Sequence, residues 1–182
     1  VTFTKTSVQT GPTFAFKDNV TINGNVTCSN PYYYLYIYAT STPTITIKGN
    51  LAITGTSTIN FGSATGATNF TANLEGNFST ANSAANIYAN MNFTKAGDQT
   101  LTYSAGNIYA NGWTQAKPSG KLELATNFTF TAFTIVNDNY FKVYDTAGGH
   151  TLTYTTFTHT GGTFDTTCTT IIGTYTQSGG TF

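Results

Sequence analysis

The feature that most constrains this chain is the recurrence of short segments at similar, slightly variable offsets. Val20–Val26 resembles Ile45–Leu51, and Gly76–Phe78 continues the Gly-Asn-apolar pattern after a further interval of similar length. Asn86–Asn90 recurs at Asn107–Asn111, and Phe157–Phe164 recurs at Tyr175–Phe182. Repeat periods of about 20–50 residues are typical of solenoids, and the offsets here lie near the lower end of that range. In a solenoid each coil consists of two or three short strands, and differences in coil length are accommodated at the corners between the strands.

Threonine alternates with apolar residues inside the repeats, as in Thr44–Thr54 and Thr151–Thr160. Such alternation indicates strands with one polar face and one buried face. Thr100–Tyr103 also recurs at Thr151–Tyr154, a separation close to the length of two coils. We therefore predict an all-β fold, a parallel β-solenoid (β-helix) of seven to nine coils with about 20–25 residues each. The alternative is an antiparallel β-sandwich completed by a donated strand, as in pilins assembled by strand exchange, with Val1–Val8 as the donor.

The composition fits a stack of similar coils. Only 8% of the 182 residues are charged, the net charge is zero, and all seven basic residues are lysines. Side chains in stacked strands lie about 4.8 Å apart, so columns of like charge would repel, whereas Thr and Asn can form hydrogen bonds. Seven scattered lysines do not form a nucleic-acid surface, and no apolar run is long enough to predict a membrane-spanning helix.

The segments Gly49–Phe61 and Gly97–Thr102 resemble the degenerate repeats of bacterial extracellular β-solenoid surface proteins, the haemagglutinin-like and autotransporter-like proteins. The resemblance implies an extracellular or cell-surface location and a stalk-like or adhesive structure. It fixes no functional residue.

The two ends of the chain resemble each other, since Val8–Phe14 parallels Thr176–Phe182. Neither end carries the polar segment that usually caps a solenoid. We predict that residues 1–14 form a strand segment in contact with a neighbouring subunit and that residues 15–182 form a single β domain. The function predicted from this pattern is that of a structural subunit of an extracellular filament or pilus-like fibre, assembled head-to-tail through strand stacking or strand donation. An ice-binding or adhesive β-solenoid stalk is the alternative.

A tyrosine-rich strand is a second candidate contact surface. Alternation places Tyr34 and Tyr36 on one face and Leu35 and Ile37 on the other, and tyrosine is enriched at protein interfaces. The residues predicted to form assembly contacts are Val1, Phe3, Val8, Phe14, Tyr175, Phe182, Tyr34 and Tyr36.

The titratable residues do not indicate an enzyme. Asp145 and Asp165, separated by the length of one coil, could approach each other in neighbouring coils near His150 and His159, but both aspartates fit turns better than a catalytic cluster. Residues 137–139 (Asn-Asp-Asn) lack the spacing of a calcium loop. We therefore predict no catalytic residue, no metal site and no cofactor, with further copies of the chain as the main partner and surface glycans as a second candidate.

Two further features leave alternatives open. Cys28 and Cys168 are either isolated thiols or a long-range disulfide. Six Asn-x-Ser/Thr sequons are candidate N-glycosylation sites, although composition alone predicts about five. The six asparagines are Asn19, Asn25, Asn69, Asn77, Asn92 and Asn127.

Overall fold

The chain folds as a β-solenoid, in which successive circuits of the chain stack through parallel strand pairs. The computed structural model describes residues 1–4, 13–30, 35–63, 69–110, 112–136 and 139–182. Every strand pair within these ranges is parallel, so the fold is the predicted β-solenoid and not the antiparallel β-sandwich. In the sandwich alternative, strand β1 (Thr2–Thr4) would belong to the donated segment. It pairs instead with a strand of its own chain.

The strands form three faces, and two long strands run across two of them. The first face contains β1, β4 (Val26–Asn30), β7 (Leu51–Gly55), β10 (Phe78–Ile87), β12 (Gln99–Ala110), β14 (Leu122–Leu124), β16 (Tyr140–Tyr144) and β18 (Thr163–Thr166). The second contains β2 (Thr13–Phe16), β5 (Leu35–Ala39), β8 (Ile59–Phe61), the ends of β10 and β12, β15 (Phe128–Ile135), β17 (Thr151–His159) and β19 (Thr169–Gln177). The third contains β3 (Val20–Ile22), β6 (Thr44–Ile47), β9 (Thr71–Leu74), β11 (Asn90–Phe93) and β13 (Thr114–Gln115).

The solenoid makes about six turns. Six circuits lead from β4 back to the first face at β18, and β1 and β19 contribute to incomplete circuits at the two ends. The predicted seven to nine coils were slightly too many, because the early circuits are longer than the average assumed. Val26 aligns with Leu51, and Leu51 aligns with Phe78, so each of these two circuits is at least as long as the longest coil expected.

Most of the sequence repeats are true structural registers. Val20 aligns with Ile45, Asn86 with Asn107, and Phe157 with Tyr175, each at the offset predicted from the sequence. The recurrence of Thr100–Tyr103 at Thr151–Tyr154 is not a register. Thr100 aligns with Glu123 and then, two circuits on, with Tyr144 on the first face, whereas Thr151 begins β17 on the second face.

The core consists of columns of apolar side chains that run along the solenoid. The first face contributes Val26, Leu51, Phe78, Leu101 and Leu124, each at most 1% exposed. In the second half of the chain aromatic rings replace the aliphatic side chains, and Trp113 packs edge-on against Phe78 and Phe130 at 5.5 and 5.2 Å. Since each apolar residue lies above another, the core is continuous from coil to coil.

The third face ends at β13, where the solenoid changes shape. Its apolar column runs Ile22, Ile47, Leu74 and Phe93, and the next aligned residue is the polar Gln115. Strand β16 lies beside β13 one circuit later, but it does not pair with β13 and so does not continue the third face. It aligns with β14 on the first face, and the Lys142 backbone N–H donates to the Gln115 side chain at 2.8 Å.

Candidate functional site

The N-terminal end of the solenoid exposes apolar side chains that align with buried core residues of the next coil and that no further described coil covers. Strands β1, β2 and β3 each pair on one side only within the described part of the chain. The exposed fractions of Val1, Phe14 and Val20 are 61%, 38% and 37%. Phe3 packs against the core with its ring 5.0 Å from that of Phe14. Three of the predicted contact residues, Val1, Phe3 and Phe14, therefore lie together at one end.

The C-terminal end has a similar surface. Strand β19 pairs with β17 on one side, and its other edge has no partner within the described ranges. The exposed fractions of Ile171, Tyr175 and Phe182 are 55%, 41% and 56%. The Phe182 ring lies 5.2 Å from the buried Phe164 ring, so it continues the aromatic core to the surface. The structure thus brings together the predicted residues Tyr175 and Phe182, whereas Ile171 aligns with the outward-facing Thr153 and lies on the side of the second face.

The tyrosine-rich strand has the predicted alternation over the part that is described. Leu35 and Ile37 are fully buried, and Tyr36 points outward with 37% exposure. Tyr34 and Val8, the two remaining predicted contact residues, lie outside the described residues. Tyr36 is on the side of the solenoid and does not join either end face.

A polar surface that the sequence analysis missed lies on the same side. The Asn86 amide donates to Asn60 at 2.9 Å, and the Asn107 amide donates to Asn86 at 3.1 Å. Beside this ladder the Tyr88 and Tyr109 rings stack at 4.7 Å with an angle of 11° between their planes. The signal in the sequence is the repeat of Asn-Ile-Tyr-Ala-Asn at residues 86–90 and 107–111, which places like residues in neighbouring coils.

The candidate catalytic residues are held in separate structural interactions. The Asp145 carboxylate accepts hydrogen bonds from the backbone N–H groups of Gly148 and His150 and lies 3.0 Å from His150 Nδ1. Burial alone would raise the pKa of Asp145, but these hydrogen bonds lower it overall. Asp165 instead pairs with Lys142 at 2.7 Å. His159 is fully buried and stacks on the Phe157 ring.

The described residues contain no group of three or more His, Cys, Asp and Glu side chains that could hold a metal ion. Of the Asn-Asp-Asn segment, residues 137 and 138 lie outside the described ranges. In the parts of the chain that the structure describes, no helix is long and apolar enough to cross a membrane.

The six sequons fall into two structural groups. Asn69 and Asn92 are half-buried, and the Nδ2 atom of each donates a hydrogen bond, to Ser63 O at 3.0 Å and to Asn73 Oδ1 at 3.1 Å. The other four asparagines are exposed, and the Oδ1 atom of each accepts a backbone N–H from the next coil. These four are Asn19, Asn25, Asn77 and Asn127.

Both cysteines are free thiols. Cys28 is fully buried in β4, and burial strongly raises the pKa of its thiol. Cys168 is half-buried between β18 and β19, at the other end of the solenoid. The solenoid therefore separates the two sulfurs, in agreement with the isolated-thiol alternative.

Comparison of the chain with protein-family models, with curated proteins and with solved structures finds no match. The predicted resemblance to bacterial haemagglutinin-like and autotransporter-like proteins therefore extends only to the β-solenoid fold itself.

Proposed function

We propose that this chain is a structural subunit of an extracellular filament that assembles head-to-tail. The observation that supports this proposal is the presence of an open strand edge with exposed apolar side chains at each end of the solenoid. Unpaired N–H and C=O groups at a sheet edge are a template for another strand. The C-terminal face of one copy and the N-terminal face of the next would pair their backbones and bury their apolar groups together.

Burial of aromatic side chains between the two end faces would supply the favourable free energy of assembly. Fully burying a side chain such as Phe contributes about 1.5–3 kcal/mol. Phe182 and Tyr175 on one face and Phe14 and Phe3 on the other are partly exposed ends of the same kind of core. A heterologous contact of this type does not close on itself, so repeated addition gives an open filament.

The distribution of charge also favours end-to-end contact. The segment Thr169–Phe182, which forms the C-terminal face, contains no Lys, Arg, Asp or Glu. Of the ion pairs found among the described residues, Lys121–Glu123 and His150–Asp145 lie outside the terminal strands, and Asp165 in the terminal strand β18 is paired with Lys142 of its own chain. Two copies can therefore approach without strong charge repulsion. The extracellular location is part of the same proposal, and the composition supports it.

Electron microscopy and sedimentation of this chain test the proposal. We expect wild-type protein to form uniform filaments, and we expect Tyr175→Lys to remain monomeric because an inward-pointing charge blocks a sheet edge. Val136→Lys is the matched control, since Val136 is also 41% exposed but lies between β15 and β16 on the side of the solenoid. Circular dichroism confirms that each variant is folded. Persistent monomers of wild-type protein at high concentration would contradict the proposal.

Mixing two blocked variants tests the head-to-tail arrangement. Tyr175→Lys blocks the C-terminal face and Phe14→Lys blocks the N-terminal face. A head-to-tail contact predicts that each variant alone is monomeric and that the mixture forms dimers, since one good face of each remains. Dimers of either variant alone would indicate that like faces meet, and would overturn the head-to-tail model.

A second candidate function is ordering of water or ice, and it rests on aligned threonines on the second face. Thr156 aligns with Thr174, and Thr158 with Thr176, so the Thr-x-Thr pair recurs at the same place in two coils. In the preceding coil the aligned residues are Ala132 and Thr134, which interrupts the pattern. Thermal hysteresis of wild-type protein, lost in Thr158→Tyr, is the expected result if this candidate is correct. Its absence in soluble wild-type protein would remove the candidate.

A further inference from the structure

A groove lies where the third face of the solenoid ends. It has a volume of about 260 Å³ and is lined by Gln115, Lys117, Gly120, Tyr140, Lys142 and Tyr144. The groove lies where β16 aligns with β14 and contacts β13 without pairing with it, through the hydrogen bond from the Lys142 N–H to the Gln115 side chain. It is a feature of the single chain and is independent of the end faces used by the proposed filament.

Tyr140 forms the wall between this groove and a second, more open one. Its side chain is 42% exposed, and the second groove runs past Asn139 and the glycine corners at residues 161–162 and 179–180. An exposed aromatic ring offers an apolar surface beside polar groups. Tyr140 can therefore support a flat, amphipathic ligand in the first groove, whereas the second groove reaches the C-terminal end at residues 179–180.

Lys117 is the cation of the groove that has no carboxylate partner within the described residues. Its ammonium donates to Gln99 Oε1 at 2.7 Å and to the Lys95 backbone carbonyl at 3.0 Å. An ammonium has three N–H donors, so one remains for a ligand. Burial and the charge of Lys95 lower the pKa of Lys117 to about 8, and the Asp98 carboxylate opposes that shift without forming an ion pair with Lys117.

The second lysine of the groove is already neutralised. Lys142 Nζ pairs with Asp165 at 2.7 Å and lies 4.7 Å from the centre of the Tyr144 ring. The groove therefore offers one ammonium, that of Lys117, which has no ion-pair partner among the described residues. A single ammonium matches a ligand that places one carboxylate in the groove. A densely sulfated polymer would need several cations there.

The backbone around the groove offers only short free edges to a peptide bound by strand addition. Within the described residues, Tyr140–Lys142 pair with β18 alone and the two-residue β13 pairs with β11 alone. The Lys142 N–H on that edge already donates to Gln115 Oε1 at 2.8 Å, so a peptide would have to displace this hydrogen bond. The side chains that remain available are an aromatic ring, an amide, a phenol and an ammonium. These groups match the C–H face, the hydroxyls and the carboxylate of an acidic sugar.

We propose that this groove binds an acidic saccharide, with the sugar ring against Tyr140 and its carboxylate on Lys117. The ligand class is an oligosaccharide of uronic acids, which carries one carboxylate per ring. Such binding would give the solenoid an adhesive role on its side surface, in addition to its proposed role as a filament subunit.

Isothermal titration calorimetry with tetragalacturonate, and with neutral cellotetraose as the comparison probe, tests this proposal. We expect measurable binding of tetragalacturonate only, and a loss of about tenfold or more in affinity for Tyr140→Ala and for Lys117→Gln. The matched controls Tyr36→Ala and Lys48→Gln alter an exposed tyrosine and an exposed lysine elsewhere and should bind like wild type. Equal binding of the neutral probe, or binding of neither probe, would overturn the proposal.

The dependence of affinity on pH provides a readout that a folding defect would not mimic. Wild-type affinity for tetragalacturonate should fall between about pH 6.5 and about pH 9.5, because the Lys117 ammonium loses its proton over that range while the carboxylates stay ionised. The residual binding of Lys117→Gln should not change over the same range. A wild-type affinity that is constant with pH would contradict the assignment of the carboxylate to Lys117. Filament formation is measured separately in Tyr140→Ala and should be unaffected.

Discussion

The Oδ1 atom of Asn50 accepts a hydrogen bond from the backbone N–H of Asn77 at 2.8 Å, one coil further along the solenoid. The Asn50 N–H in turn donates to Asn25 Oδ1 at 2.9 Å, and Thr100 N–H donates to Asn77 Oδ1 at 2.9 Å. Each asparagine thus satisfies a backbone donor at the corner of the next coil, where the strand ladder has not yet begun.

Replacing Asn50 with Ala should destabilise the protein by about 1 kcal/mol, because the Asn77 N–H loses its acceptor. Urea unfolding followed by circular dichroism measures the change. Asn23→Ala is the control, since Asn23 is exposed at the preceding corner, and its effect should be smaller. Equal effects of the two substitutions would show that the ladder does not stabilise the corner.

The glycine that precedes each of these asparagines permits close stacking of the corners. A Cβ atom at Gly49 would lie 2.5 Å from both the Asn25 backbone N and the Gly24 carbonyl carbon, whereas a Cβ at Gly24 would meet nothing within 4 Å. Gly49→Ala should therefore destabilise the protein by about 3 kcal/mol, and Gly24→Ala should be close to neutral. Thermal unfolding of the two variants provides the measurement, and similar midpoints would refute the steric explanation.

Two tyrosines with different environments should respond in opposite directions to removal of the hydroxyl group. The Tyr154 hydroxyl is buried with no hydrogen-bond partner among the described residues, whereas the Tyr103 hydroxyl donates to the Gly106 carbonyl at 2.8 Å. We expect Tyr154→Phe to stabilise the protein by about 1 kcal/mol and Tyr103→Phe to destabilise it by a similar amount. Denaturant midpoints decide the matter, and a loss of stability in Tyr154→Phe would mean that its hydroxyl is satisfied.

The two thiols should differ in reactivity in the native protein. Burial raises the pKa of both, and Cys28 has no exposed surface while Cys168 is half-buried. A thiol-specific reagent should therefore modify Cys168 slowly and leave Cys28 unmodified until the protein is unfolded. Mass spectrometry of native and denatured samples distinguishes the two sites, and Cys168→Ser should abolish the native reaction. Rapid labelling of Cys28 would contradict its position in the core.

Filaments, if they form as proposed, should respond little to salt. The exposed side chains of the terminal strands are mostly apolar or neutral. The charged residues described in the terminal coils are Lys17 and Asp18 in the loop between β2 and β3, and Asp165 in β18, which is paired with Lys142 of its own chain. Screening therefore removes no contact at the joint. Light scattering should show similar assembly at about 0.05 M and about 1 M NaCl. Disassembly caused by salt alone would show that charged groups hold the subunits together.

The sequence predicted the fold class well because the registers are recorded in the chain. The offsets between Val20 and Ile45 and between Phe157 and Tyr175 are both real strand alignments. Like residues recur because each position in a coil lies against its equivalent in the next. The alternation of Leu35, Tyr36 and Ile37 likewise identified the buried face of β5.

The change of coil shape could not be predicted in the same way. It depends on Gln115 following Phe93 in the third-face column and on β16 aligning with β14, and neither event leaves a repeat in the sequence. The misleading long-range repeat has the same origin, since Thr100 and Thr151 belong to different faces. The groove beside Tyr140 was missed because its residues come from β13, β16 and the loop between β13 and β14.

The parallel pairing of all described strands gives the solenoid a direction. One end presents Val1 and Phe14, and the other presents Tyr175 and Phe182, so the two ends are chemically different surfaces. A polymer built from such units would have a structural polarity, because every subunit would have the same orientation along it. Its two tips would then gain and lose subunits at unequal rates, and a cell that fixed one tip to its surface would determine which side chains the growing tip presents to the surroundings.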